Sequence, residues 1–381
     1  MDGKRYDVGA HGHSLTAVPA RALCRPAAAP VHHPEVQPRM SISRVATWRF
    51  ILETASVPVG TNVAALDWGS KWLLITRAGV FVMTLLSGLI GALLAVGVDP
   101  AGVNYWFATL AVVGIVIAHA ANNMINDYFD LESGVDTNEY VRAQYAPHPI
   151  LSGMVSKRTL ATAILIANLV DLAIMAYLTV ERGWPVVVFA LGGAFISLFY
   201  VAPPIRLKHH GLGEPGVFIV WGPLMIGGTY FVATGGIPGW VWIATIPYAI
   251  LVTTVLLGKH VDKIEPDREK GIHTLPVIIG ERPAKLLTMG MMVAFYPILL
   301  GLVLAGLIGP WVLVVVLALP RLAFVLGIFR KPKPEAPPPD YPIWPLWFVG
   351  AAMIHTRLAG SFLVLGLIVN IILPVTLPWL A

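Results

Sequence analysis

Nine long apolar stretches constrain the fold of this chain more than any other feature. A run of about 18 or more apolar residues is long enough to cross a bilayer as a helix. Several of the stretches contain Gly or Pro, which helices inside a membrane tolerate. The sequence therefore predicts an all-α polytopic membrane protein, a bundle of about nine transmembrane helices. The predicted spans lie near residues 73–98, 103–126, 158–180, 185–203, 214–235, 238–258, 284–307, 310–329 and 356–379.

The composition agrees with a membrane protein. Hydrophobic residues make up 56% of the chain and charged residues 12%, against roughly 45–50% and 25% in an average soluble domain. A net charge of +5 would suggest a nucleic-acid partner in a soluble protein. Here the basic residues fall into loops, so we expect the lipid bilayer as partner and no nucleic acid. The single cysteine, Cys24, excludes a disulfide framework and a cysteine metal cluster.

The N-terminal part differs from the rest. Residues 1–44 are rich in Pro, Ala, His and Arg with little apolar periodicity, which is typical of a disordered tail. Met40 is a second candidate start, and translation from it would leave out the first 39 residues. Residues 45–381 form the predicted membrane domain. Within it, segment 45–68 is at best amphipathic, and we expect it to lie along the membrane interface.

The distribution of basic residues predicts the orientation. Cytoplasmic loops carry an excess of Lys and Arg. With a cytoplasmic N-terminus and nine spans, only Arg182 of the 26 Lys and Arg residues falls in an external connection. The chain is therefore predicted to lie in the cell inner (cytoplasmic) membrane, with its N-terminus in the cytoplasm. The loops after the second, fourth, sixth and eighth spans are then cytoplasmic.

A first acidic segment, "AANNMINDYFDLESGVD" at residues 120–136, follows an apolar run that has no charge. Gly134 permits a turn that brings Asp136 back toward the helix end. Oxygen ligands without His or Cys suit Mg²⁺. The alternative is a polar helix end that runs into a loop, but polar groups at membrane depth are functional by default. Two pairs of residues four apart each share a helix face: Asn126 with Asp130, and Asn123 with Asp127.

A second acidic segment, "GKHVDKIEPDREKG" at residues 258–271, ends a later apolar run. Alone it is typical of a solvated surface. Two acidic segments on one cytoplasmic face would repel each other unless cations lay between them. Two Mg²⁺ ions that bridge a diphosphate would remove this repulsion and neutralise a leaving group. The candidate metal ligands are Asn123, Asn126, Asp130, Asp136, Asp262, Glu265 and Asp267. The candidate catalytic carboxylates are Asp127, Asp130, Asp262 and Asp267.

Basic residues should complete a diphosphate site. Arg77 begins the first span, and Arg142 lies in the first acidic loop. Arg206 and Lys208 lie in "YVAPPIRLKHHGLGE". Anchoring at the cytoplasmic surface explains loop arginines without any ligand, and this alternative stays open, most of all for Arg142.

Four motifs together resemble the UbiA superfamily of intramembrane prenyltransferases, over roughly residues 70 to 380. "NMINDYFDLESGVD" is similar to the first aspartate-rich motif, and this likeness implies that Asn126, Asp130 and Asp136 coordinate magnesium. "HPILSGMVS" resembles the element that follows it. "FYVAPPIRLKHHGLGEPGVFIVWGPLMIGGTYFVATG" resembles the middle section of members that prenylate dihydroxynaphthoate, including Tyr200 and Lys208. "DREKGIHTLPVIIGE" resembles the second aspartate motif.

The chain also departs from the family pattern. Members usually carry Asn-Asn-x-Arg-Asp before the second motif, whereas this chain has "GKHVD". The usual spacing of four between the two aspartates becomes five from Asp262 to Asp267, with Pro266 inside. Either Asp262 shifts or Glu265 substitutes as a ligand. His148 stands where an arginine is common. These departures bear on the acceptor and the subfamily rather than on the diphosphate chemistry.

The resemblance implies a Mg²⁺-dependent enzyme with its active site at the cytoplasmic face. It would transfer a polyprenyl group from an allylic polyprenyl diphosphate to an aromatic acceptor. The acceptor expected first is 1,4-dihydroxy-2-naphthoate, in menaquinone biosynthesis. The alternatives are 4-hydroxybenzoate, homogentisate, a glyceryl phosphate or a sugar phosphate. A more remote alternative is an ion-coupled transporter, but transporters usually place such charges near the bilayer midplane.

Aromatic faces can stabilise an allylic cation. The candidates are Tyr128, Phe129, Tyr200 and Trp221, each of which packing explains equally well.

Overall fold

A computed structural model describes residues 43–58, 60–339 and 341–375. In these ranges the chain is built of helices and has no β-strand, which confirms the predicted fold class. Eight of the described helices are long and apolar enough to cross a membrane, and one shorter apolar helix accompanies them. Together they correspond to the nine predicted spans. Residues 1–42 lie outside the described residues. Most of the predicted disordered tail falls there, and so does Met40.

The long helices follow one another along the chain. They are α3 (Ala78–Val98), α4 (Tyr105–Glu132), α6 (Lys157–Arg182), α8 (Gly213–Thr234), α9 (Gly239–Val261), α12 (Glu281–Leu304), α13 (Pro310–Phe329) and α14 (Phe348–Ile372), with the shorter α7 at Pro185–Phe199. Short helices lie between them or before them: α1 (Arg44–Thr54), α2 (Trp68–Ile75), α5 (Val141–Tyr145), α10 (Ile264–Glu269) and α11 (Leu275–Ile279), with 3₁₀ turns at Val63–Ala65 and Leu207–His209.

Local sequence signals set the helix ends. The Asn104 side chain accepts a hydrogen bond from the Phe107 N–H at the start of α4, and Ser156 does the same for the Thr159 N–H at the start of α6. Such side chains satisfy backbone donors that have no partner inside the helix. Gly235, with φ of 82°, ends α8 in the left-handed conformation that glycine adopts without steric cost.

Helix α8 contains a π-helical segment at Val220–Gly227 that includes Pro223. Proline has no N–H to donate, so it removes one helical hydrogen bond and widens or kinks the helix. The Trp221 carbonyl accepts a hydrogen bond from the Ser87 hydroxyl of α3 at 2.9 Å. The segment therefore disturbs α8 where it packs against α3.

The main apolar core lies among α3, α8, α9, α12, α13 and α14. Its largest fully buried side chains are Tyr248, Phe295, Phe329 and Phe348. Helix α6 differs from these helices, because only 6% of the residues in its most apolar stretch are buried inside the protein. An apolar surface of this length that the protein leaves uncovered suits contact with lipid.

Segment 45–68, which the sequence predicts at the interface, forms α1 and the start of α2. Helix α1 is largely exposed, with Ile51 as its buried residue. Arg357 of α14 donates to the Glu53 carbonyl at 3.0 Å and to the Gly79 carbonyl. The segment is therefore held against the bundle at the start of α3, and its contact with the membrane surface stays a prediction.

We predict that Gly366→Ala destabilises the bundle. A Cβ at Gly366 would lie 2.5 Å from the Trp311 carbonyl oxygen and 2.5 Å from the Val312 Cα. Overpacking of this kind costs about 1–3 kcal/mol, so the melting temperature in detergent should fall by several degrees.

The matched control is Gly290→Ala in α12, where a Cβ would meet nothing within 4 Å. There alanine should be neutral or stabilise the helix by about 0.5–1 kcal/mol. Equal melting temperatures for the two variants would contradict the packing of α14 against α13.

Candidate active site

A large cavity runs between α4, α6, α7, α8 and α9. Its volume is about 870 Å³, at the upper end of the range for small-molecule sites. Most of its wall is apolar. Polar and charged residues gather at one end, where α4 ends and α9 ends; they include Arg77, Asn122, Asn123, Asn126, Arg142, Tyr200 and Lys259.

A buried ion-pair cluster centres on Asp127, which is 0% exposed. Its carboxylate accepts hydrogen bonds from the Arg142 Nε at 3.0 Å and Nη2 at 3.1 Å, and a further one from the Arg77 guanidinium. A charge taken out of water requires such partners. Asp127, a candidate catalytic carboxylate, is thus occupied by two guanidinium groups and holds both of them at the end of the cavity.

Asp130 lies one turn further along α4 and is paired with Lys208. The Lys208 ammonium donates to both carboxylate oxygens, at 2.8 and 2.7 Å. Lys208 is itself buried, in the 3₁₀ turn, and its N–H donates to the Tyr200 carbonyl at 3.0 Å. The structure therefore brings together a predicted metal ligand and a predicted diphosphate ligand from distant parts of the chain.

The predicted turn after α4 is present. Gly134 has φ of 71°, and the Val135 and Asp136 N–H groups both donate to the Asp130 carbonyl. Asp136 is buried, with its carboxylate 3.5 Å from the His148 Nε2. The His148 Nδ1 accepts from the Ile150 and Leu151 N–H groups at 3.2 and 3.3 Å. Because Nδ1 accepts these bonds, a ring proton lies on Nε2.

Asp127, Asp136 and His148 have ligand atoms within 4.8 Å of one another. They nevertheless do not suit a metal ion. Asp127 is held by arginines, and the His148 nitrogen that faces Asp136 carries a proton. His148 Nε2 lies 3.5 Å from the Asp136 carboxylate and has no hydrogen-bond partner among the described residues. It stands at the position where an arginine is common in the family pattern.

Two carboxamides of α4 differ in their hydrogen bonding. The Asn123 Nδ2 donates to the Thr76 carbonyl at 2.9 Å, which anchors α4 to the end of α2. The Asn126 Oδ1 is buried and has no hydrogen-bond partner among the described residues. A buried oxygen without a partner requires an explanation, and a bound cation or water would supply one. Asn126 therefore fits a hard cation better than Asn123 does.

The second acidic segment meets the first through Asp267, which is 0% exposed. Its Oδ1 accepts from the Tyr140 hydroxyl at 2.5 Å and lies 3.1 Å from the Lys263 Nζ. Its Oδ2 is buried without a partner among the described residues. Burial opposes its ionisation, but the Lys263 ammonium holds the pKa of Asp267 below its ordinary value. Since Tyr140 follows α4, both segments lie at one end of the bundle.

The structure does not bring Asp262 or Glu265 to this cluster. The two Asp262 oxygens accept from the Phe348 and Val349 N–H groups, both at 3.0 Å, at the start of α14. Burial raises the pKa of Asp262 to about 6, while those backbone groups favour its charged form. Glu265 is exposed and pairs with Arg268. The sequence left two candidates for a second carboxylate beside Asp267, namely a shifted Asp262 and Glu265. Neither lies beside Asp267 in the structure.

Tyr200 closes the polar end from the side of α7. Its hydroxyl lies 3.3 Å from the His260 Nε2, and the His260 Nδ1 lies 2.7 Å from the Glu214 Oε1. Burial, with the charge of Glu214, raises the pKa of Tyr200 well above its ordinary value, so the phenol stays protonated. Arg206 has a left-handed backbone with φ of 47° and makes no side-chain hydrogen bond within the described part of the chain.

Residues 81–349 match the model of the UbiA prenyltransferase family. The chain belongs to this family. It is therefore a membrane enzyme that transfers prenyl groups.

Individual relatives agree with this assignment. The chain is 26% identical over 261 residues to the 1,4-dihydroxy-2-naphthoate octaprenyltransferase of Bacillus subtilis (strain 168), which covers 68% of this chain and 82% of that protein. The apo structure of a UbiA homolog from Aeropyrum pernix K1 has a TM-score of 0.58 at 19% identity and covers 76% and 97% of the two chains. A UbiA homolog from Archaeoglobus fulgidus bound to GPP and Mg²⁺ has a TM-score of 0.54 at 16% identity and covers 77% and 99%. Both solved structures share the fold of this chain.

Several site residues of this UbiA prenyltransferase were not predicted from the sequence. Lys259 lines the cavity, and Lys263 and Tyr140 surround Asp267. The signal was present, because Lys259, Lys263 and Asp267 recur every four residues, but loop lysines are explained equally well by membrane orientation. The four proposed aromatic residues all line the cavity.

We predict that Asp262→Ala lowers stability but leaves prenyl transfer at permissive temperature largely intact. The change leaves two N–H groups at the start of α14 without their charged acceptor, which costs about 1–3 kcal/mol. Thermal unfolding in detergent and an initial-rate assay well below the melting temperature measure the two effects separately. Glu265→Ala, at an exposed position, should change neither; complete loss of turnover in a folded Asp262→Ala protein would place Asp262 in the site after all.

Proposed function

We propose that this UbiA prenyltransferase transfers a polyprenyl group from an allylic polyprenyl diphosphate to an aromatic acceptor in a Mg²⁺-dependent reaction. The acceptor we propose is 1,4-dihydroxy-2-naphthoate, and the pathway is menaquinone biosynthesis. One observation carries the proposal: an apolar cavity of about 870 Å³ ends in a cluster of basic residues and oxygen ligands. Such a site matches a substrate with a long hydrocarbon tail and an anionic head.

The diphosphate would lie at the polar end. Arg77 and Arg142 are already oriented there by Asp127, so little conformational freedom is lost when they bind an anion. Lys208 is held by Asp130, and the protonated Tyr200 hydroxyl can donate a hydrogen bond. These groups would stabilise the negative charge that develops on the diphosphate as the allylic C–O bond breaks.

Magnesium would be held by the oxygen atoms of Asn126, Asp130, Asp136 and Asp267. When bound, Mg²⁺ neutralises the departing diphosphate. The unpaired Asn126 Oδ1 and Asp267 Oδ2 support this ligand set. Lys208 would shift from Asp130 to the diphosphate, because both compete for the same ammonium. The sequence predicts two ions. Three of the four proposed ligands belong to the first acidic segment, which supports that segment as the main magnesium site.

The cavity wall would protect the allylic cation. Tyr128, Phe129 and Trp221 line the cavity beside the polar end, and aromatic faces stabilise nearby cations. An apolar wall also excludes water, which would otherwise convert the cation to an alcohol. An electron-rich aromatic ring would then attack the cation. With dihydroxynaphthoate, the carboxylate of the acceptor is lost as carbon dioxide.

The acceptor rests on the similarity to the Bacillus subtilis enzyme, whose name states dihydroxynaphthoate. At 26% identity this similarity leaves 4-hydroxybenzoate, homogentisate, glyceryl phosphates and sugar phosphates as alternatives. Incubation of the purified protein with Mg²⁺, a labelled polyprenyl diphosphate and each acceptor, followed by mass analysis, distinguishes them. We expect the decarboxylated prenyl naphthoquinol. A prenylated benzoate or a prenyl ether as the main product would contradict the acceptor but not the reaction class.

We predict that Asp130→Ala and Asp267→Ala each reduce prenyl transfer by at least about a hundredfold, since each removes a ligand that acts on the leaving group. Membrane insertion and melting temperature should change far less than turnover. Glu132→Ala is the matched control, because Glu132 is an exposed carboxylate at the end of α4 whose one ion-pair partner among the described residues is Lys157. Normal turnover in both aspartate variants would contradict the ligand assignment.

We propose an inner-membrane location with a cytoplasmic N-terminus. Since Cys24 is the single cysteine, a Cys24→Ser background permits mapping with single introduced cysteines. A membrane-impermeant maleimide added to intact cells should label Gly236→Cys, between α8 and α9, and should not label Arg158→Cys, at the start of α6. The reverse pattern would invert the topology.

A further inference from the structure

We propose that the Lys263 ammonium takes the place of a second metal ion in this prenyltransferase, so that the diphosphate is held with one Mg²⁺ rather than two. The inference rests on the proposed function and concerns the second acidic segment. In that segment the Lys263 side chain supplies the positive charge that a second metal ion would otherwise supply.

The carboxylates of the second segment do not form a second metal site of their own, although the free Asp267 Oδ2 can reach an ion held mainly by the first segment. Magnesium requires near-octahedral oxygen coordination and is usually bound through one or two carboxylates plus substrate phosphates. Asp262 has both oxygens on backbone N–H groups of α14. Glu265 is exposed, with both oxygens on Arg268. Asp267 alone remains, and one of its oxygens is taken by Tyr140.

Lys263 occupies the space beside Asp267. Its Nζ lies 3.1 Å from the Asp267 Oδ1 and 4.7 Å from the centre of the Tyr140 ring. The side chain is buried, with 8% exposure, so water screens its charge little. A divalent cation on the same oxygen would meet a fixed positive charge at close range.

The spacing of residues in the second acidic segment shows which groups stand in place of the expected carboxylates. Asp267 follows Lys263 by four residues, and Lys259 precedes Lys263 by four. Lys259 lies in the last turn of α9 and lines the cavity. Where the sequence predicts two carboxylates, this stretch carries two ammonium groups followed by one carboxylate, and of the two lysines Lys259 lines the cavity. Lysine binds phosphate as a point charge.

The charges at this end also favour one ion. Four carboxylates at this end, Asp127, Asp130, Asp136 and Asp267, are matched in number by four cationic side chains, Arg77, Arg142, Lys208 and Lys263. A prenyl diphosphate carries about three negative charges near neutral pH. One Mg²⁺ together with Lys259, which has no ion-pair partner among the described residues, offsets that charge. A second ion would leave an excess of positive charge in a buried site.

The test counts metal ions on the full-length chain in detergent. Mn²⁺, followed by electron paramagnetic resonance, replaces Mg²⁺, and a non-reactive prenyl thiolodiphosphate supplies the diphosphate. We expect one tightly bound Mn²⁺ per wild-type chain. Lys263→Asp restores a carboxylate four residues before Asp267, and we expect two Mn²⁺ with a spin–spin coupled signal. We also expect Mn²⁺ to raise the melting temperature of Lys263→Asp more than that of the wild type.

Two further variants complete the experiment. Lys263→Met keeps the length of the side chain without its charge, so it should still bind one Mn²⁺ but bind the thiolodiphosphate about tenfold more weakly. Arg158→Asp makes the same change in charge as Lys263→Asp at an exposed position at the same end of the bundle, and it should behave as the wild type does. It controls for a general effect of added negative charge.

The outcomes separate this inference from the proposed function. Two Mn²⁺ in the wild-type complex, or one in a folded Lys263→Asp protein, would overturn the role of Lys263 and leave metal-dependent prenyl transfer intact. Unchanged thiolodiphosphate affinity in Lys263→Met would also overturn it. If the wild-type complex binds no Mn²⁺ at all, the proposed metal dependence fails, and the inference fails with it.

Discussion

The pairing of buried Asp127 with Arg77 and Arg142 is the interaction on which the polar end of the cavity depends. It joins three parts of the chain: the residue before α3, the body of α4, and α5 in the loop that follows. Removing one partner of such a buried cluster typically costs about 3–5 kcal/mol, because a charge is left without compensation. The site is therefore assembled as part of folding, before any substrate arrives. The remaining polar groups are arranged around this cluster.

The fold could be predicted from the sequence because one physical rule governs it. A backbone inside lipid must satisfy its own hydrogen bonds, so each long apolar run becomes a helix. The nine spans follow from this rule, including the short α7. The first acidic segment was predictable for a similar reason, since Asn126 and Asp130 are related by helical spacing and Gly134 by turn chemistry. Local geometry decides these features.

The second acidic segment could not be predicted in the same way, because long-range contacts decide it. Asp262 is drawn to the start of α14, whose N–H groups lie 86 and 87 residues further along the chain. Nothing near Asp262 in the sequence signals that partner. Lys263 is similar, because a loop lysine near a membrane is normally an anchor. Only its burial against Asp267 and Tyr140 shows otherwise.

The π-helical segment of α8 has a consequence for how such a cavity can change over evolutionary time. A π turn holds one residue more than an α turn. Losing a single residue from Val220–Gly227 would restore regular α winding there, while the parts of α8 before and after the segment would keep their faces. Trp221, now on the wall, would exchange places with a neighbour while the bundle kept its connections. Insertions and deletions, rather than substitutions, would then offer the shortest route to a differently shaped interior.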